Sequence, residues 1–425
     1  MKAIAQQEQP TVGLRVWQHG VVFLLACAVI ISRRPDAVFH VQFYAEDGHV
    51  WYADAYNLGW WPALFRTWTG YFLTLPRIAA SLALLVPLYR VPLFLNLVAI
   101  FVQALPVNLL LTVRSSVWGS LRFRSLLAGM YVILPNCSEI SYGITDANFL
   151  LALSAFILLM AYAPQSIKWR LFDIFILLLC GLSGPFCIFL LPLSVFLVWK
   201  YRDRWRYVPV GIFAFSCLVQ LLSLLVLAPA ARTHRPFGAS PELFARILGS
   251  QIYLGALLGR NGLSLVPGQR VTIVLVCVAI AGTAFAIICS FRSPMVLKLF
   301  LVFSAVLFAS ALAAPVEWGH PQIPVWVALS GSPGYRHWFF PTLAFAWCLL
   351  FGYRSRIALV KVVSVALLCV MCFGILRDWR HPAFQETHFA ESVKRFEAAP
   401  AGASVVIEEQ PAGWNMTLVK HGGRL

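Results

Sequence analysis

Long apolar stretches separated by short polar connectors run the length of this chain. Among them are "VVFLLACAVIIS" (21–32), "VPLFLNLVAIFVQALPVNLLLTV" (91–113), "YVPVGIFAFSCLVQLLSLLVLA" (207–228), "VTIVLVCVAIAGTAFAIICSF" (271–291) and "IALVKVVSVALLCVMCFGIL" (357–376). About twenty residues at 1.5 Å each cross the roughly 30 Å hydrocarbon core of a bilayer. The pattern predicts an all-α polytopic membrane protein with about eleven spans. They fall near residues 13–32, 91–113, 123–136, 149–163, 171–183, 185–199, 207–229, 271–291, 297–314, 338–352 and 357–376. The stretch 171–199 is short for two crossings, but "GLSGPF" (181–186) breaks it in the middle.

The connectors set an orientation. Arg114, Arg122 and Arg124 lie in one, Lys168 and Arg170 in the next, then Lys200, Arg202, Arg204 and Arg206, then Arg292 and Lys298, then Arg354, Arg356 and Lys361. The positive-inside tendency places them in the cytoplasm, with the N-terminus inside and the C-terminus outside. The stretches 33–90, 136–148, 184–186, 230–270, 315–337 and 377–425 are then external, and they hold fourteen of the seventeen acidic residues. One segment, "YFLTLPRIAASLALLVPLY" (71–89), decides the parity, because as a span it would turn the first loop to the cytoplasm. Pro76 and Arg77 interrupt it and Pro87 and Pro92 flank its end, so it reads as an in-plane or re-entrant helix with Arg77 near the headgroups.

The domain reading is a transmembrane body, 1–376, whose first external loop (33–90) carries in-plane helices, and a small α+β external tail, 377–425. In the tail, "FAESVKRFEAA" (389–399) has the spacing of an amphipathic helix, and "SVVIEEQPAGWNMTLVK" (404–420) reads as strand, turn and strand. A hairpin that small needs something to pack on. No internal repeat is visible.

Composition agrees. Of the 425 residues 60% are hydrophobic and 12% charged, about half the charged fraction of a soluble domain. A net charge of +16 could signal nucleic-acid binding, but here the basic residues are confined to connectors, as orientation requires. The first apolar run ends in "ISRRPD" with no small-x-small cleavage site, which favours an uncleaved span. Most of the ten cysteines lie inside apolar runs, where a thiol behaves as a small hydrophobe, so no disulfide framework is expected.

The candidate chemistry lies in the acidic loops. "FYAEDGHVWYADAYNLGWW" (43–61) sets Glu46 beside Asp47, with Asp54 following, amid aromatic side chains; Tyr71 and Arg77 come next. "NCSEISYGITDANF" (136–149) carries Glu139, Asp146 and Asn148 just before a span, and 317–341 carries Glu317, His320, Arg336 and His337. Adjacent carboxylates at a water–lipid boundary suit a general base whose pKa its neighbour raises, or a divalent cation held between them. Each acid taken singly reads as well as a solvated helix cap. Arg336, immediately before a span, can clamp a lipid phosphate or simply snorkel to the headgroups. His320 and His337 more often make interfacial hydrogen bonds than bind metal. The Trp and Tyr residues at 51–71 form an interfacial belt, part of which can stack on sugar rings.

On these residues the chain resembles the GT-C superfamily of integral-membrane glycosyltransferases, and within it the bacterial polytopic glucosyltransferase-like transferases. The matching features are "YAEDGHVW" (44–51), the 71–89 segment, "GITDANFLLAL" (143–153), "LSGPF" (182–186), "YRHWFFP" (335–341) and "VVIEEQPAGW" (405–414). The resemblance implies a sugar transfer, inverting by family habit, from a polyprenyl-phosphate donor to a glycan or lipid acceptor at the periplasmic face of the bacterial inner membrane. It implies Asp47 as the base, with Glu46 tuning it or sharing a cation. Asp146 and Asn148 would bind acceptor or metal, and Arg336 with Arg77 would offset charge on the leaving phosphate. Tyr71, Asp54 and His337 join the same substrate-binding set. Any Mg²⁺ or Mn²⁺ would fall to Glu46, Asp47 and Asp146. Two other readings stand beside this one: an O-antigen-type polymerase, and a transporter or flippase of a lipid-linked saccharide. Polymerases of that type usually place their large external loop between late spans, and transporters place ionisable groups within spans.

Overall fold

The structure, a computed structural model, describes residues 13–227, 236–260, 271–315 and 322–422. Each predicted span coincides with a helix. Among the described residues, six helical stretches are long and apolar enough to cross a membrane: Val16–Arg33, Leu88–Leu111, Arg204–Val226, Thr272–Phe291, Met295–Ala313 and Ala358–Arg377. The other five expected spans are helices of 12 to 16 residues, Leu121–Val132, Ala147–Met160, Ile167–Gly181, Phe186–Tyr201 and Phe339–Tyr353, about 18–24 Å long at 1.5 Å per residue. The outer helices turn apolar side chains outward: Ile273, Ile280, Leu359, Val362 and Leu376 are all exposed. Such a surface needs hydrocarbon around it, and the chain is a multi-pass membrane protein.

Two of the short helices form the centre. All of Ala147–Met160 is buried except Asn148 and Phe149, and most of Phe339–Tyr353 is buried too. A helix that is apolar all round belongs inside a bundle. Aromatic side chains lock this interior: Trp118 packs edge-on to Trp347 at 5.0 Å, and Phe300 lies 4.5 Å from Trp347.

Val16–Arg33 runs antiparallel to Val91–Leu111. His19 Nδ1 lies 3.0 Å from Asn108 Oδ1 near one end, and Asn96 donates to the Ala37 carbonyl at 3.0 Å near the other. The loop between them therefore leaves and re-enters the bundle at the same end. Its helix Thr74–Ala83 has ten residues, about 15 Å, roughly half the thickness of a hydrocarbon core.

Irregular backbone at membrane depth survives only where protein satisfies it. The side chain of Gln220, inside a span, brackets Phe72, accepting from its N–H at 2.9 Å and donating to its carbonyl at 3.1 Å. Thr74 N donates to Leu182 O and Gly184 N to Phe72 O, tying the loop to the turn between Ile167–Gly181 and Phe186–Tyr201. Gly184 has φ +95°, a left-handed conformation that suits glycine.

The tail folds as its pattern predicts. Helix Phe389–Ala398 buries Phe389, Val393 and Phe396 on one face. Strands β1 (Ser404–Glu409) and β2 (Trp414–Val419) pair antiparallel, with Val405 opposite Leu418 and Ile407 opposite Met416. The hairpin sits on the first loop. Asn57 donates to Thr417 O and accepts from Val419 N, both at 2.9 Å, and His49 Nδ1 lies 2.6 Å from Asn415 O.

The basic connectors gather at the opposite end. Arg114 donates to both carboxylate oxygens of Asp173 at 2.9 and 2.5 Å, and Arg206 donates to Leu159 O at 2.9 Å. Single cysteines replacing the exposed Arg66 and Glu391 should therefore react with an impermeant maleimide from one side of the membrane, and one replacing Arg122 from the other. Exposed Cys277, Cys369 and Cys372 would first be removed. Labelling of Arg66→Cys and Arg122→Cys from the same side would make 71–89 a span.

Candidate active site

A tight turn builds the site. Ala45 takes a left-handed φ of 47°, and a π-helical turn, Asp47–Tyr52, follows at once. The two adjacent carboxylates are thereby sent different ways. Asp47 points into protein, where its Oδ2 accepts from Ile144 N at 3.1 Å and its Oδ1 accepts from Thr145 N at 3.1 Å and Thr145 Oγ1 at 2.8 Å. Gly143 has no room for a Cβ, which would collide with this carboxylate. Glu46 instead lines a cavity of about 470 Å³.

Six of the nine expected site residues line that cavity: Glu46, Tyr71, Asp146, Asn148, Arg336 and His337. Asn148 and Phe149, the two residues of the central helix that are not buried, face it too. Three expected residues do not line it. Asp47 stands behind the wall, so the expected base does not reach the open volume, and the carboxylate that does is Glu46. Arg77 is buried and paired with Asp54 at 2.7 Å, with its guanidinium 4.7 Å over the Trp51 ring. Asp54 is held in turn by Arg66 at 2.8 Å. Trp51 Nε1 donates to Thr145 Oγ1 at 2.8 Å, so Asp54, Arg77, Trp51, Thr145 and Asp47 form one chain of contacts supporting the cavity from outside. Glu317 and His320 lie outside the described residues.

Inside the wall, Arg336 is the cationic centre. It donates to Glu139 through Nη1 at 2.9 Å and through its backbone N–H at 2.7 Å, and Asp146 lies 3.8 Å away. Burial raises the pKa of Glu139 and Asp146, against the pull of Arg336, and neighbouring carboxylates including Glu46 raise them further. Arg336 stays charged despite its burial, because Tyr335, Glu139, Asp146 and Glu46 favour the cation. Burial pushes Asp47 up to about 7, even with three donors on its carboxylate. His337 is pulled down to about 3 by burial and by Arg336, so it is neutral at physiological pH, and its Nε2 has no partner among the described residues.

Sequence reasoning passed over Glu409. This tail residue accepts from His49 N at 3.1 Å and is raised by burial and by Asp47, while its Oε1 is buried without a partner among the described residues. Arg34 was likewise passed over. It is buried, with its guanidinium 4.5 Å over Phe384 and 5.3 Å over Tyr142. Those two rings, with Tyr44 and Tyr335, line a second hollow of about 350 Å³ that Glu139 also borders.

Among the described residues, no group of three or more His, Cys, Asp or Glu side chains is placed to hold a metal ion. The carboxylates expected for one, Glu46, Asp47 and Asp146, do not fit it: Asp47 is occupied by the 144–145 turn and Asp146 faces Arg336. The fold and site define a multi-pass membrane protein with an acidic cavity at one end of its bundle. No protein-family model matches the chain, and no curated protein matches it.

A folded-state pKa of about 7 against 3.8 for Asp47 fixes the sign of a pH effect. Its contribution to stability is full below the lower value and is lost as pH rises through the higher one, because the unfolded chain binds fewer protons in between. The thermal midpoint of the detergent-solubilised protein should fall from about pH 5 to about pH 8, and Asp47→Asn should make that fall shallower by about one proton. An unchanged slope in the variant would mean that Asp47 is ionised throughout.

Proposed function

We propose that this protein transfers a sugar from a polyprenyl-phosphate donor to a glycan or lipid acceptor, as a GT-C-type glycosyltransferase of the bacterial inner membrane with its site on the periplasmic side. One observation carries the reading. The cavity lining joins a polar group, Glu46, Asp146, Asn148, Arg336 and His337, to an apolar group, Phe186, Ile188, Phe189, Leu224 and Leu307. That division suits one amphiphile whose headgroup reacts while its tail stays in hydrocarbon. The second, aromatic hollow beyond Glu139 suits an acceptor sugar stacked on Tyr142 or Phe384.

In the proposed reaction the acceptor hydroxyl attacks the anomeric carbon of the donor. A new carbon–oxygen bond forms as the bond from that carbon to the phosphate oxygen breaks, and the phosphate leaves with the electron pair. Glu46, which lines the open volume, takes the hydroxyl proton as general base. Arg336 stabilises the charge growing on the lipid phosphate, the kind of preorganised electrostatic contribution that usually dominates such sites. Neutral His337 offers a ring nitrogen to the donor headgroup. Asp47 positions Glu46 by fixing the turn it sits on.

Proteoliposomes given a radiolabelled polyprenyl-phosphate sugar and candidate glycan acceptors test this. Glu46→Gln should lower turnover by at least about 10²-fold with donor binding retained, the size expected for a general base. Arg336→Gln should weaken donor binding as well as turnover. Asp47→Asn should cost less than Glu46→Gln. Donor binding with no transfer to any acceptor, and donor appearing on the far leaflet, would instead favour a carrier of lipid-linked saccharide.

A further inference from the structure

We propose that the connector end of the bundle, opposite the acidic site, holds a binding site for a phosphate-type anion. Two adjoining cavities open there, of about 420 and about 450 Å³, with Arg354 and Ser355 in the wall of both. Arg292 and Arg356 also line the first, and Arg122 and Lys361 the second. These five cations come from three connectors far apart in sequence, and among the described residues no carboxylate lines either cavity.

Membrane orientation explains why this end is basic. It does not explain why these side chains meet at a hollow with their charges unmatched. Three other basic residues at the same end are engaged: Arg114 with Asp173, Arg206 with the Leu159 carbonyl, and Arg124 with the carbonyls of Leu110 and Thr112. Arg122, Arg292, Arg354, Arg356 and Lys361 have no ion-pair partner among the described residues.

The site is also shaped. The Arg354 guanidinium lies over the Phe123 ring, 4.5 Å from its centroid. Its Nη1 packs against Gly119 closely enough that a Cβ there would sit 3.2 Å away, and Gly119 has φ +117°. Two long helices, Met295–Ala313 and Ala358–Arg377, start at the rim of the first cavity, and neither has a side-chain cap on its first turn. The positive ends of two helix dipoles add to the field of the guanidinium groups. Planar guanidinium groups around one hollow match a phosphate oxygen set. Two sources supply that chemistry: the headgroup of an anionic phospholipid reaching in from the leaflet, or a soluble phosphate from the aqueous side.

The test uses the full-length protein in neutral detergent, with bound ligand counted by native mass spectrometry. The probes are phosphatidylglycerol, phosphatidylcholine and inorganic phosphate, each titrated separately. The site variant is Arg354→Gln with Arg356→Gln. The control is Arg202→Gln with Arg204→Gln, which removes the same charge from exposed positions at the same end but outside both cavities. Phosphatidylglycerol should bind the wild type and the control alike, and the site variant at least tenfold more weakly, with phosphatidylcholine showing no such dependence. Phosphate binding with the same variant pattern would assign the site to a soluble anion, and phosphate failing to bind would assign it to the lipid. Equal weakening by both double variants would reduce the effect to bulk charge and overturn the proposal, as would no weakening by either. Should the site variant not fold, Arg292→Gln with Arg122→Gln replaces it under the same criteria.

Discussion

Asp47 ties the first loop to the rest of the protein. Its carboxylate accepts two backbone N–H groups and one hydroxyl from Ile144 and Thr145, and these lie directly before the central helix Ala147–Met160. The turn that aims Asp47 inward leaves Glu46 aimed at the cavity. The residues just after it, Gly48 and His49, meet Glu409 of the tail. Loop, central helix and tail hairpin thus share one buried acidic junction. Removing the carboxylate would leave buried N–H donors without partners, a cost of about 1–3 kcal/mol for each group.

That junction is unfavourable for stability on its own terms. Glu46, Asp47, Glu139, Asp146 and Glu409 crowd together with Arg336 and Arg34 as the cations nearest them, and burial raises the pKa of Asp47, Glu139, Asp146 and Glu409. Buried charges seldom add stability beyond what apolar packing would give. Two of the five acids, Glu46 and Asp146, line the cavity, and a buried acid with a raised pKa beside an open volume marks a candidate functional site. Its supports are conventional by comparison: an ion pair, a ring under a guanidinium, an indole N–H on a hydroxyl.

The helices were legible because twenty apolar residues have few alternatives in water or lipid, and the tail hairpin because alternation and the Pro–Ala–Gly turn agree. The in-plane reading of 71–89 rests on Pro76 and Arg77, and the contacts of Asn96 and His19, which place both ends of the loop at one end of the bundle, are compatible with it. The division of labour between Glu46 and Asp47 was not legible. Neighbouring residues carry the same chemistry, and only the left-handed Ala45 and the π-helical turn decide which one faces the cavity. Arg77 misled for a related reason: an arginine beside a membrane loop reads as available until Asp54 and Trp51 are seen to hold it. Glu409 carried no local signal, since its burial comes from strand register and from the docking of β1 against Gly48 and His49.

The same cluster constrains how an anionic headgroup can enter on the proposed reading. Arg336 is already engaged by Glu139 and Asp146, so a phosphate that takes its guanidinium must displace a carboxylate. A buried carboxylate left unpaired costs several kcal/mol. Taking up a proton removes that cost, and burial has already raised the pKa of both acids toward it. Headgroup binding and proton uptake are therefore linked, with the bound state holding more protons than the free one. On that proposal, the proton held at Glu139 or Asp146 would sit beside the phosphate oxygen on which charge grows as the sugar departs. An excess of acid around one arginine, costly for the fold, thereby keeps the site close to neutral when an anion occupies it.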